Sequence, residues 1–197
     1  MPSAGKTVVG LTGGIACGKS SALKRFASLG WAVVSADSIV AEILATDRNI
    51  QKKIHQRWGI DVFDSSGNID KSVIGRIVFK SDSERRWIEQ LLHPVIRPIW
   101  TSFVQSSSSE NCLVELPLLF ENNLHKQFTC VVTMYAPLST VSQRLSDRGL
   151  SHKEANARIS AQLPIGQKAM RADFVLWGGG TIEFLNRQVD ALVSNLP

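Results

Sequence analysis

The sequence contains little that would place the protein in a membrane or outside the cell. Its apolar runs fall well short of the roughly 18 residues that a membrane span requires. The residues before Thr7 are also short of apolar side chains, so no signal peptide is predicted. The three cysteines, Cys17, Cys112 and Cys130, are an odd number without metal-like spacing. We therefore expect a cytoplasmic protein with reduced thiols and no membrane partner.

Dense clusters of positive charge are missing as well. Lys and Arg number 22 against 17 Asp and Glu, which gives a formal net charge of +5. These cations are scattered, without blocks of about five or six like charges and without interleaved aromatic residues. A small polyanionic ligand accounts for this excess better than nucleic acid does, so we predict no nucleic-acid partner. The guanine-recognition pattern Asn-Lys-x-Asp is also absent, which argues against a nucleotide-dependent switch.

The chain does contain a phosphate-binding pattern near its start. Residues Gly13 to Ser20 fit G-x-x-x-x-G-K-[ST] at every fixed position. An apolar, β-branched run at 7–12 precedes the pattern, and a segment of helical spacing at 21–29 follows it, as the motif requires. Backbone N–H groups of such a loop bind phosphate oxygens beside a helix N-terminus. We expect Lys19 to reach the outer phosphates of ATP and the Ser20 hydroxyl to bind Mg²⁺.

Five short apolar segments predict the strands of a parallel sheet. They are residues 7–12, 31–37, 111–115, 128–135 and 172–177. Continuous apolar runs suit strands that are buried on both faces. With the phosphate-binding loop, they predict an α/β fold, a three-layer α/β/α domain around a five-stranded parallel sheet. The core of this single domain comprises residues 5–37, 111–138 and 172–197.

Residues 38–110 are predicted to form a helical insertion. A crossover between parallel strands needs only one helix, so several helices here suggest a subdomain that binds the acceptor substrate. Extra packing without a ligand is the alternative. Pro94 predicts that one helix ends at His93 and that another begins at Val95. His93 at this break, with Arg97 one turn later, is a candidate substrate contact.

Residues 139–171 are predicted to form a second helical appendage. Ser139 to Arg148 form one helix, and the capping-box pattern of Ser151 and Glu154 begins another. The segment carries several cations that could close over phosphate groups as a lid, although exposed cations often form only a solvated face. They are Arg144, Arg148, Arg158, Lys168 and Arg171.

Three further candidates lie at the ends of predicted strands. Asp37 could accept the proton of an attacking hydroxyl, or it could cap the helix that follows it. Glu115 could hold Mg²⁺ through water. Trp177 could stack on the adenine ring, although a tryptophan in the core or at the sheet edge is the simpler interpretation.

The order and spacing of these motifs resemble the dephospho-CoA kinase family over nearly the whole chain. Besides the phosphate loop and Asp37, the likeness rests on several short stretches. They are Leu92-His93-Pro94, Pro117-Leu118-Leu119-Phe120-Glu121, Arg148-Gly149-Leu150-Ser151, the downstream Gln162 and Lys168, and the Ala172-Asp173 strand. The resemblance implies a fold like that of the nucleoside monophosphate kinases. It also implies transfer of the γ-phosphoryl group of ATP to the ribose 3′-hydroxyl of dephospho-CoA, giving coenzyme A and ADP.

The resemblance also implies site residues. Asp37 corresponds to the presumed base, and the ATP contacts fall on the loop residues Gly14, Ala16, Cys17, Gly18, Lys19, Ser20 and Ser21. The chain departs from the family pattern at Ser35, where an aspartate is frequent, and at Gly178, where an asparagine is usual. Ala16 and Cys17 replace a usual Gly-Ser pair, and a positive φ at Ala16 would be strained. A monomer or small homo-oligomer is expected, with ATP, Mg²⁺ and dephospho-CoA as its ligands.

Overall fold

The computed structural model describes residues 5–196 and contains one five-stranded sheet in which every strand pair is parallel. The strands are β1 Thr7–Gly13, β2 Ala32–Ser35, β3 Asn111–Glu115, β4 Cys130–Tyr135 and β5 Phe174–Trp177. Their spatial order is β2-β3-β1-β4-β5. The central strands are buried almost throughout, as continuous apolar runs require. The α/β fold and the parallel five-stranded sheet that the sequence predicts are confirmed.

The chain separates into two compact units. The first contains the residues up to Ser35 and those from Phe103 onward, and the second is Ala36–Ser102. The helices of the first unit are α1 Lys19–Ser28, α6 Leu138–Asp147, α7 His152–Ser160, α8 Ile165–Arg171 and α9 Ile182–Val193. The second unit contains α2 Ala36–Thr46, α3 Arg48–Trp58, α4 Lys71–Val78 and most of α5 Asp82–Ser106.

The core of the first unit joins the sheet to its helices. Val9 and Val132 from the strands are fully buried, as are Phe26 of α1, Leu145 of α6 and Val189 of α9. The predicted capping box opens α7: the Ser151 hydroxyl accepts from the Glu154 N–H, and the Glu154 carboxylate accepts from the Ser151 N–H. The segment predicted as a lid therefore contains at least one helix, α6, that is anchored in the core.

Aspartate side chains cap two helices of the second unit. Asp47 caps α3 by accepting hydrogen bonds from the N–H groups of Asn49 and Ile50. Asp70 caps α4 in the same way. Each cap satisfies backbone donors that the first turn of a helix leaves without partners.

The predicted helix break at Pro94 is wrong, because α5 continues through both Pro94 and Pro98. Buried residues recur every four positions along α5, at Ile88, Leu92, Ile96, Trp100 and Val104. Both prolines lie on the exposed side of the helix. Carbonyl groups that lose their partners there can bind water, so packing of the buried stripe outweighs the local effect of proline.

Candidate active site

The phosphate loop joins β1 to α1 and has the backbone conformation that its glycines permit. Gly13 has a φ of 141°, and a Cβ at this position would lie 2.5 Å from the Met134 carbonyl oxygen. Gly18, the N-cap of α1, has a φ of 101°. Ala16 also has a positive φ, 56°, so the strain foreseen for this residue is present. An alanine in the left-handed region costs about 1 to 2 kcal/mol.

Lys19 folds back over the loop. Its Nζ donates to the carbonyl oxygens of Gly14, at 3.0 Å, and Gly13, at 3.3 Å. The same Nζ lies 4.0 Å from Glu115 Oε1, and both side chains are largely buried. The structure thus brings two of the predicted site residues together where β1 and β3 end. A cation and a carboxylate in such a sheltered position interact more strongly than they would in water.

Register along the sheet explains why Glu115 reaches the loop. Glu115 is the last residue of β3, paired with Leu11 on one side and with Ser35, the last residue of β2, on the other. Parallel strands present their carboxyl ends at one edge, where ligands of open α/β sheets bind. The sequence places Asp37 two residues after Ser35.

Arg144 of α6 braces the loop from the other side. Its guanidinium donates to the carbonyl oxygens of Ala16, at 2.9 Å, and Gly178, at 2.7 Å. Gly178 packs so closely on the loop that a Cβ there would overlap the Cys17 carbonyl oxygen. Arg148 at the end of α6 is exposed. Arg144 therefore links the phosphate loop to the turn after β5, a contact that the sequence does not foreshadow.

Cys17 contributes only its backbone to the loop surface. Its side chain is buried, and this burial raises the pKa of the thiol, although an N–H from Ala136 and the charge of Lys19 act in the opposite direction. The thiol therefore stays neutral near pH 7. Ser20 lies in the first turn of α1 and is exposed, and Ser21 is half-buried.

Trp177 lies in β5, at the edge of the sheet. Its ring stacks on Tyr135 at a centroid distance of 5.6 Å, and the residue remains 41% exposed. The Gln188 side chain holds the Trp177 backbone, accepting from its N–H and donating to its carbonyl. An edge tryptophan with an exposed ring is compatible with both interpretations of this residue.

The remaining predicted site residues belong to the second unit. Asp37 is exposed and lies within the first turn of α2, which begins one residue earlier. A carboxylate there complements the helix dipole. His93 and Arg97 follow one another by one turn of the unbroken α5. Burial lowers the pKa of His93, with the charge of Glu89 opposing this, so the imidazole is largely neutral at pH 7.

Lys168 is placed differently from the prediction. The sequence groups it with exposed cations, whereas the structure buries it completely. Its Nζ donates to the Pro117 carbonyl at 2.6 Å and pairs with Glu121 Oε1 at 2.8 Å. The available sequence signal is modest: Lys168 comes three residues after the apolar Ile165, on the same face of α8.

Comparison with known proteins supports a kinase site. A sequence model of the family described as dephospho-CoA kinase matches residues 7–183. A dephospho-CoA kinase from Synechococcus sp. (strain CC9902) is 37% identical over 188 residues, covering 94% of this chain and 94% of the relative. A crystal structure from Thermus thermophilus superposes with a TM-score of 0.78 at 27% identity, with 98% of each chain covered. The dephospho-CoA kinase from Campylobacter jejuni superposes with a TM-score of 0.64 at 26% identity and the same coverage.

Among residues 5–196, no helix combines the length and the apolar character that crossing a membrane would demand.

Proposed function

The chain belongs to the dephospho-CoA kinase family, and from this membership we propose which of its residues carry out each part of the reaction. The enzyme transfers the γ-phosphoryl group of ATP to the ribose 3′-hydroxyl of dephospho-CoA, which yields coenzyme A and ADP. The observation that carries the assignment of residues is the phosphate loop with Lys19 and Glu115 side by side at its mouth. Phosphoryl transfer needs little covalent help from a protein, so placement and charge neutralisation account for most of the catalysis.

ATP is held by the phosphate loop in this proposal. Backbone groups of Gly14 to Ser21 line the phosphate site in this scheme, and the start of α1 adds its positive end. Lys19 exchanges the Gly13 and Gly14 carbonyls for the β- and γ-phosphate oxygens when the nucleotide enters. Because Cys17 and Ala16 are buried, they contribute backbone groups rather than side chains.

Mg²⁺ is the usual partner of ATP in this chemistry, and the residues at the loop fit it. Magnesium is typically held by one or two side chains together with phosphate oxygens and water. Residues 5–196 hold no group of three or more His, Cys, Asp or Glu able to hold a metal. The Ser20 hydroxyl and the Glu115 carboxylate, directly or through water, would therefore hold an ion that the substrate itself helps to bind. When bound, the ion would neutralise charge on the β- and γ-phosphates.

Asp37 is proposed as the base that orients and deprotonates the 3′-hydroxyl of the acceptor. It is an exposed carboxylate close in sequence to Ser35, which pairs with Glu115 at the ligand-binding edge of the sheet. The second unit, with His93 and Arg97, is proposed to bind dephospho-CoA. A neutral, half-buried imidazole can donate or accept a hydrogen bond, and an exposed guanidinium suits a phosphate of the acceptor.

Arg144 and Arg148 are proposed to neutralise the transferring group. Because α6 is anchored in the core and α8 packs on the sheet, we propose that the part of the predicted lid, 139–171, that lies between these two helices closes over that group and excludes water. Arg144 already contacts the loop at Ala16, so its guanidinium is close to any phosphate held there. Trp177 is proposed to lie against the adenine, because its ring is partly exposed.

A cytoplasmic location is part of the proposal, since Cys17, Cys112 and Cys130 are all free thiols. We also propose that the protein acts without nucleic acid, as a monomer or small homo-oligomer.

Substitution of Asp37 tests the proposed base. Asp37→Asn should lower kcat by ~10² or more and leave ATP affinity nearly unchanged, because the amide cannot accept the proton. Asp61→Asn, an exposed carboxylate of the same unit, serves as the matched control. Turnover of Asp37→Asn close to that of the control would remove Asp37 from this role.

Substitution of Lys19 tests the donor side. Lys19→Ala should lose most phosphoryl transfer, whereas Lys24→Ala, an exposed lysine of the same helix, should retain it. An assay of ADP release with a panel of acceptors, which includes metabolite alcohols and nucleoside monophosphates, then measures acceptor preference. A faster reaction with another acceptor would mean that this acceptor, and not dephospho-CoA, is the preferred substrate.

A further inference from the structure

Lys168 carries a buried charge that the mechanism above does not use. The residue is 0% exposed, although lysine is rarely buried completely. Its Nζ donates to the Pro117 carbonyl and to Glu121 Oε1, and its own carbonyl accepts from the Thr133 hydroxyl at 3.4 Å. Glu121 Oε1 also accepts from the N–H of Leu163 at 2.8 Å. The ammonium is therefore held in one place from several directions.

The Pro117 carbonyl is the point where two segments of the site meet. Besides Lys168, it accepts from the Thr12 hydroxyl at 3.2 Å. Thr12 is fully buried and immediately precedes the loop glycines, and the neighbouring Leu116 N–H donates to Leu11 at 2.9 Å. Pro117 itself follows Glu115 by two residues. One carbonyl oxygen thus links the segment that precedes the phosphate loop to the segment that follows Glu115.

We propose that Lys168 is a positioning residue: its ammonium fixes the Pro117 carbonyl against Thr12, and thereby sets the placement of Glu115 relative to the phosphate loop. The inference rests on the proposed function, in which Glu115 assists the metal ion and the loop holds ATP. Lys168 itself touches neither substrate in this scheme. Its contribution passes through the backbone of residues 115–117 and through Thr12.

Contacts of α8 support this assignment. Ile165, one turn before Lys168, lies against the loop: a Cβ added to Gly14 would be 3.7 Å from the Ile165 Cδ1 atom. The helix packs on β1 and β4, the two strands that flank this side of the loop. Lys168 therefore sits where α8 meets the base of the loop, and a shift of its side chain changes the packing there directly.

Burial makes the positive charge of Lys168 energetically unfavourable. Burial lowers the pKa of Lys168, and the nearby charge of Lys19 lowers it further, whereas Glu121 acts to raise it. A buried ion pair commonly adds little stability compared with apolar residues that pack equally well. The pair with Glu121 is accordingly better explained by the geometry that it imposes than by any gain in fold stability.

The test separates geometry from stability with a pair of variants. Lys168→Met removes the ammonium and leaves the partly buried carboxylate of Glu121 without its cation, so thermal stability should fall. The double variant Lys168→Met/Glu121→Gln removes that uncompensated charge, and its melting temperature should recover towards the wild-type value. Lys24→Met, an exposed lysine of the same unit, is the matched control.

If Lys168 positions the site, the double variant should regain stability without regaining activity. In the double variant, the Mg²⁺ concentration for half-maximal rate should rise, and kcat with dephospho-CoA should fall, each by roughly 10-fold or more. Thr12→Val, which removes the other donor to the same carbonyl and keeps Lys168, should raise the Mg²⁺ requirement in the same direction. Thr12→Val therefore tests the inference even if both Lys168 variants fail to fold.

Wild-type kcat and Mg²⁺ requirement in the folded double variant would overturn the inference, as would a Thr12→Val enzyme that matches the wild type in both values. Failure of the proposed function is a different result: the wild-type enzyme itself would then leave dephospho-CoA unphosphorylated.

Discussion

A side chain at Gly178 should be poorly tolerated. A Cβ on Gly178 would overlap the carbonyl oxygen of Cys17 and come within 3.1 Å of the Met134 Cε atom. The overlapping atom is backbone, so it cannot rotate away, and the phosphate loop or the turn after β5 must move. Overpacking of this kind costs about 1 to 3 kcal/mol. For a chain of this size that is a drop in melting temperature of about 2 to 12 °C.

The displaced atom belongs to the loop that binds ATP, so Gly178→Ala should also weaken ATP binding. Misplacing catalytic groups by about 1 Å can cost up to 10²-fold in rate, and a rise in the ATP KM of roughly tenfold is expected. Gly166→Ala provides the opposite case. Gly166 lies within α8, and a Cβ there would meet nothing within 4 Å.

Gly166→Ala should therefore stabilise the protein by about 0.5 to 1 kcal/mol, the usual gain for alanine in a helix. Thermal unfolding followed by circular dichroism, together with ATP titration, measures both variants. A Gly178→Ala protein that matches the wild type in melting temperature and ATP affinity would show that the close contact with Cys17 is unimportant, as would a shift of stability in the same direction for both variants.

Three further perturbations test separate parts of the account. Arg144→Lys keeps the charge but cannot bridge the Ala16 and Gly178 carbonyls, so loss of one charge-assisted hydrogen bond should cost about 1.5 to 3 kcal/mol in urea unfolding; unchanged stability would show that the bridge contributes nothing. Burial, followed by the charge of Asp173, raises the pKa of Cys130 from 9.0 to about 11. The folded state then binds more protons than the unfolded state between these values, so stability should fall as pH rises from 9 to 11, by up to about 3 kcal/mol, and Cys130→Ala should remove this slope. Pro94→Ala restores an N–H in the middle of α5 and should raise the melting temperature; a decrease would mean that proline itself stabilises α5 at this position.

The three central strands were predictable because each lies in a largely apolar run, whereas the edge strands β2 and β5 are half-buried or exposed. Val8, Leu113 and Val132 belong to segments that no half-exposed strand would contain, and all three are buried in the sheet. The phosphate loop was predictable because its glycines serve the backbone itself. Gly13 and Gly18 have the positive φ angles that the pattern implies.

Local rules failed where tertiary contacts decide the outcome. Pro94 is a helix breaker in isolation, yet the buried stripe from Ile88 to Val104 keeps α5 continuous. Lys168 was grouped with exposed cations, because nothing near it in sequence reveals that Glu121 and the Pro117 carbonyl surround it. The burial of Lys168 depends on residues far away along the chain, and the continuity of α5 depends on packing along the whole helix.

The same reason hid the role of Arg144. Its two acceptors, Ala16 and Gly178, are 128 and 34 residues away in sequence, and both are backbone carbonyls. Backbone groups carry no signature in the sequence. A positively charged residue on α6 could be noticed, but the loop contact could not be predicted from its neighbours.

Identification of the product by NMR establishes whether the ribose 3′-hydroxyl of dephospho-CoA accepts the phosphoryl group. Wild-type enzyme is incubated with ATP, Mg²⁺ and dephospho-CoA, and ³¹P and ¹H spectra then locate the new phosphate on the ribose. We expect ADP and an equal amount of coenzyme A, in which the new phosphate is on the ribose 3′ oxygen. Lys19→Ala should give no such product. Conversion of ATP to ADP and free phosphate with dephospho-CoA unchanged, or phosphorylation at another hydroxyl, would contradict this expectation.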